Sequence, residues 1–113
     1  MSELSKKKCI PCSGDIPPFN EEEIKIFMKK VKNWECKKND KGHFYLSKEF
    51  KFENFVDSLN FINDVSKIAD DETNHPDLKF VWGYANIIIS THAINGLAES
   101  DFVLAAKMDQ ISV

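Results

Sequence analysis

The sequence predicts an α+β fold with elements in the order α-β-β-α-β-β-α: one four-stranded antiparallel sheet with three helices packed on one face. Three observations lead there. Apolar residues recur with helical period over residues 19–32, 52–69 and 99–111. Two pairs of short strand-like runs, 34–38 with 43–50 and 78–82 with 84–92, are each joined by a turn that contains glycine. The length of 113 residues, with 42% hydrophobic and 29% charged residues, suits one domain with one modest core.

Residues 1–18 contain Pro11, Gly14, Pro17 and Pro18 and little periodicity, so they read as an irregular arm ahead of a single domain over 19–113. Cys9 and Cys12 form a C-x-x-C within this arm. A zinc site needs four ligands, and no second C-x-x-C or nearby histidine pair completes one. The strand–helix setting of a redox pair is also missing.

The first helix has the clearest signals. Asn20 is a good N-cap, with Glu23 three residues on as in a capping box, and Phe19 and Ile24 stand at the positions of a hydrophobic staple. Ile24, Phe27, Met28 and Val31 make one apolar stripe, which reads as core. Asn39-Asp40-Lys41-Gly42 then connects the first strand pair, and His43 reads as a solvated residue at a strand end. On pattern alone Trp34 belongs to the core. In the second helix Phe55, Val56, Leu59, Ile62 and Ala69 align, and Phe61, Val65 and Ile68 broaden the stripe. Asp70-Asp71-Glu72 ends it with acids, opposite to what the helix dipole favours, which marks a candidate functional loop.

Gly83 makes the second turn. Along the last strand Ala85, Ile87, Ile89 and Thr91 share one face, and Asn86, Ile88, Ser90 and His92 share the other. The final helix turns Phe102, Ala105, Met108 and Ile111 inward, with Asp101 in its first turn, where an acid caps the helix. The sheet face bearing Ile88 needs cover, so self-association is expected.

Charge and cysteine content narrow the function. The net charge is -3 and the pI about 5.6, which argues against direct nucleic-acid binding. No apolar run is long enough to span a bilayer and no secretory leader is visible. Three cysteines are an odd count, which does not suggest a disulfide framework, so a reducing, cytoplasmic setting is the simplest fit.

Chemistry concentrates in residues 70–101, which hold His75 and His92, the corner Asn74-His75-Pro76, and the aromatics Trp82 and Tyr84. Imidazole titrates near neutral pH and can both give and take a proton. Nearby aromatic rings suit a flat heteroaromatic substrate. No nucleophile motif or phosphate loop is evident, and the histidines lack the spacing that puts two metal ligands on one helix.

This stretch resembles the signature of the pterin-4a-carbinolamine dehydratase family. That pattern has an acid, three residues, a histidine pair, a proline, an aromatic after five more, a histidine after nine and an aspartate after eight. Asp70, Asn74-His75, Pro76, Trp82, His92 and Asp101 fall on it. Thr91 beside His92, Gly96-Leu97 and Asn33-Trp34 also resemble the family, and Lys8-Cys9-Ile10-Pro11-Cys12 with Pro17-Pro18 resembles the arm of plant-like or protist-like members. One departure stands out: the family's pair begins with histidine, and this chain has Asn74 there. An amide cannot shuttle a proton near neutral pH.

The resemblance implies a dehydratase that removes water from 4a-hydroxytetrahydrobiopterin and gives quinonoid dihydrobiopterin, in tetrahydrobiopterin recycling. It implies no metal or redox cofactor. His75 and His92 are then the catalytic groups, and Asn74, Trp34, Asp70, Pro76, Trp82 and Asp101 the substrate-binding ones. A homodimer or homotetramer without direct nucleic-acid or membrane contact is implied as well. The alternative function is a low-activity pterin-binding or dimerisation module acting as a transcriptional cofactor for a homeodomain protein, which would also place it in the nucleus.

Overall fold

The computed structural model describes residues 17–72, 76–91 and 94–111. Its elements are α1 (Glu21–Met28), β1 (Glu35–Lys38), β2 (Phe44–Lys51), α2 (Phe55–Glu72), β3 (Asp77–Val81), β4 (Tyr84–Ile89) and α3 (Glu99–Asp109). The order is the one expected from the sequence.

The four strands form one antiparallel sheet in the order β1-β2-β4-β3. Leu46 pairs with Ile89, Lys48 with Ile87 and Phe50 with Ala85, so these side chains share the inner face. Leu46, Ala85, Ile87 and Ile89 are fully buried there. Asp77 pairs with Ile88, which puts both on the opposite, open face.

The capping box of α1 is present: the Glu23 N–H donates to Asn20 Oδ1 at 2.9 Å, and the Asn20 N–H donates to Glu23 Oε1 at 3.0 Å. The helix stops at Met28, four residues short of the periodic pattern. Beyond it Asn33 adopts φ 60°, and the Lys32 N–H turns to Asp109 Oδ2 at 3.0 Å. Helical bonding therefore gives way to a bond with a residue far along the chain.

The second helix is displaced toward the C-terminus relative to the expected 52–69. Asn54 caps it, accepting from the Asp57 N–H at 2.9 Å. Phe52 stays outside, its N–H donating to the Gly83 carbonyl at 2.9 Å and its ring lying 5.3 Å from that of Phe61. At the other end Asp70, Asp71 and Glu72 continue the helix, with no basic residue in its last turn. Phe61, Ile62, Val65 and Ala69 are its buried side, whereas Phe55, Val56 and Leu59 remain exposed. The last helix is the most enclosed: Asp101 through Ala106 and Met108 are all buried. Burial of a single Phe102-sized side chain in such a core is worth about 1.5–3 kcal/mol. Among the described residues no helix is long and apolar enough to cross a membrane.

Candidate active site

Two residues past β4, Thr91 pairs with Gly96 in an isolated antiparallel bridge, where the chain folds back. The Thr91 N–H donates to the Gly96 carbonyl at 2.8 Å, and the Gly96 N–H donates to the Thr91 carbonyl at 3.4 Å. Asn95 supports the return with φ 54°. The Thr91 hydroxyl donates to Asp101 Oδ2 at 2.7 Å, and the same oxygen accepts the Ala98 N–H at 2.9 Å. Asp101 is thus the helix-capping acid the sequence suggested, and it also ties the last helix to the strand end. Its residue is 0% exposed, a position a carboxylate tolerates only when hydrogen-bonded.

On the open face a groove of about 330 Å³ lies at this end of the sheet, bordered by His43, Tyr45, Asp77, Ile88, Ser90 and Thr91. Small-molecule sites typically occupy about 300–1,000 Å³. The lining combines an apolar floor at Ile88 with an imidazole, a phenol, a carboxylate and hydroxyls that can donate or accept hydrogen bonds. His43, expected to be solvated, is half-buried and borders the groove. It stands immediately before β2, where Asn39 closes the turn: Asn39 Oδ1 accepts the N–H groups of Lys41 at 2.9 Å and His43 at 3.0 Å. Only strand register brings the end of β2 beside that of β4, so residue spacing gave no sign of His43 here.

The other expected site residues are dispersed. Pro76 is half-buried immediately before β3, and Asp70 is exposed in the last turns of α2. Trp82 is 68% exposed at the β3–β4 turn. That turn is at the far end of the hairpin from Asp77, about 16 Å away at about 3.3 Å per residue. Trp34 is buried on the inner side, its indole N–H donating to Asp109 Oδ1 at 3.0 Å. Lys48 Nζ donates to the same carboxylate oxygen at 2.7 Å and to the Lys32 carbonyl at 2.8 Å. Asn74, His75 and His92, and also Cys9 and Cys12 of the arm, lie outside the described residues.

Among the described residues no three His, Cys, Asp or Glu side chains gather into a metal-binding group. Burial pushes the Cys36 thiol up, and the nearby Lys38 charge offsets this only in part. A nucleophilic cysteine requires the opposite shift.

Comparison with known proteins follows the same lines. The family model described as pterin 4 alpha carbinolamine dehydratase matches residues 17–111. Two bacterial proteins carrying the pterin-4-alpha-carbinolamine dehydratase name are similar over their whole length. The one from Rickettsia canadensis is 48% identical, covering 96% of this chain and 97% of the relative. The one from Rubrobacter xylanophilus is 44% identical, covering 98% and 100%. A crystal structure from Brucella melitensis, of a protein called a transcriptional coactivator/pterin dehydratase, superposes with a TM-score of 0.72 at 25% identity. It covers 81% of this chain and 95% of that one.

Proposed function

The chain belongs to the pterin-4a-carbinolamine dehydratase family of hydro-lyases, and we propose that it dehydrates 4a-hydroxytetrahydrobiopterin by histidine acid/base catalysis, in tetrahydrobiopterin recycling. The C4a–O bond breaks, the hydroxyl leaves as water after protonation, and N5 gives up its proton to leave quinonoid dihydrobiopterin. His75 and His92 carry the two proton transfers. Asn74 holds the pterin through its amide, and Asp70 orients an imidazole.

One observation supports this reading above the rest. Asp77, two residues past His75, and Thr91, immediately before His92, border the same groove. We take that groove as the pterin's seat, with Asp101 acting behind it. Trp34 and Trp82 are left out of the assignment, because one is bound to Asp109 and the other is at the far end of the hairpin. The exposed Phe55, Val56 and Leu59 of α2, with Leu78 and Trp82, support our further proposal of a homodimer or homotetramer. The coactivator name of the Brucella protein keeps a protein-binding role as the second reading.

The test is quinonoid product formation from the carbinolamine. With His75 as a proton-transfer group, His75→Ala should lose about 10²–10⁴-fold in turnover. Asn74→His should raise turnover by supplying an imidazole the parent lacks. If both variants match the parent, the corner at 74–76 is not catalytic. Light scattering on the same preparations should show at least a dimer at micromolar concentration, and a monomer would contradict the assembly.

A further inference from the structure

We propose that the Thr91 hydroxyl, anchored on buried Asp101, is a positioning group for His92; the role of His92 itself rests on the function proposed above. A comparison of two helix starts carries the inference. At α1, Glu23 three residues past the cap accepts the Asn20 N–H at 3.0 Å in an exposed setting. At α3, Asp101 in the same relative position accepts the Ala98 N–H at 2.9 Å in a buried one. The bond from the cap N–H to the acid is made at both, although only α1 adds the reciprocal bond from the Glu23 N–H to Asn20 Oδ1. Only Asp101 takes a second donor from another element, the Thr91 hydroxyl at 2.7 Å. At that length the bond is well formed for a hydroxyl donating to a carboxyl oxygen, and it joins the last helix to a residue ten positions earlier in the chain.

The setting of Thr91 shows what that bond controls. Its N–H and carbonyl are both engaged by Gly96, and its carbonyl also accepts the Ile94 N–H at 3.3 Å. Gly96 in turn lies against Pro18, where an added Cβ would meet the proline ring at 2.7 Å. The Phe19 N–H donates to the Leu97 carbonyl at 2.7 Å. Main chain, side chain and neighbouring segment therefore all immobilise Thr91. Thr91 and His92 share a peptide bond, so fixing the dihedrals of Thr91 fixes the frame from which the next side chain starts. Catalysis gains from such fixation because a proton-transfer group displaced by about 1 Å can cost about 10²-fold in rate.

Thr91→Val removes the hydroxyl at nearly constant volume, and Thr91→Ser keeps it. Dehydration kinetics on the purified, folded proteins should show kcat reduced about 10–100-fold in Thr91→Val. KM should be nearly unchanged, and kcat should be largely restored in Thr91→Ser. Imidazole NMR, independent of turnover, should show one sharp His92 signal in the parent and a broadened or split one in Thr91→Val. Thr91→Ala replaces the valine variant if that one does not fold. Parental kcat together with a single sharp His92 signal in the hydroxyl-free variant would overturn the proposal, as would a Thr91→Ser protein no better than Thr91→Val. A parent without turnover would instead overturn the dehydratase reading, and the NMR comparison would still decide the positioning role.

Discussion

The two ends of α3 each carry an aspartate whose side chain is shielded from water, and they serve different ends. Asp109, at the C-terminal end, gathers Trp34, Lys32 and Lys48. Asp101, about 12 Å away at 1.5 Å per residue, holds Thr91 and Ala98. The first cluster joins the helix to β2 and to the segment between α1 and β1, on the inner side of the sheet. The second joins the same helix to Thr91, just past the end of β4. A buried carboxylate costs free energy wherever it sits unless its oxygens are engaged. What separates the two is the neighbour: one set of partners is framework, and Thr91 in the other set borders the groove. The difference teaches that burial and hydrogen bonding alone do not mark a functional acid; the element it immobilises does.

Stability measurements sharpen this contrast. The largest effect is expected at the framework end. The side chains of Lys48 and Asp109 are 13% and 4% exposed, so the ion pair at 2.7 Å is almost wholly shielded from water. Asp109→Ala leaves a buried ammonium without its counter-charge and the Trp34 N–H without its acceptor. Urea unfolding should show a loss of about 3–5 kcal/mol. A loss below about 1 kcal/mol would mean that water reaches Lys48 and that the cluster is no clamp.

A smaller loss is expected at the loop end. Gly96→Ala forces Pro18 to move, since 2.7 Å between carbons is well inside contact distance. Overpacking of this kind costs about 1–3 kcal/mol. The atom met is the Pro18 Cβ, so Pro18→Gly in the same chain, which removes it, should recover much of that loss, because the two sites are in direct contact and not additive. No recovery would place the strain elsewhere.

The sequence made the element order plain because hydrophobic period is local. The Asn20–Glu23 cap and the Gly83 turn are signals within four residues. Helix ends were less legible. Phe52 extends the apolar stripe of α2 yet bonds to Gly83, and Asn54 is the true cap. Asp70 to Glu72 stay helical although the dipole disfavours them. The site divides in the same way. Asp101 could be read as a cap because its acceptor role is local. Its bond to Thr91 could not, since it depends on how the last helix docks on the strand end. Trp34 and Asp109 are 75 residues apart, and pattern indicated burial for the tryptophan but not its partner.

The effect on stability is expected to be smallest at His92, where the effect on catalysis is largest. The measurement that tests the proposed chemistry most directly is therefore the dehydration rate of His92→Ala beside its unfolding curve. Positioned proton transfer is worth about 10²–10⁴-fold, so turnover should fall by that factor while the unfolding midpoint stays near that of the parent. Full turnover in a folded His92→Ala protein would contradict the histidine mechanism, and collapse of the fold would show that His92 belongs to the core.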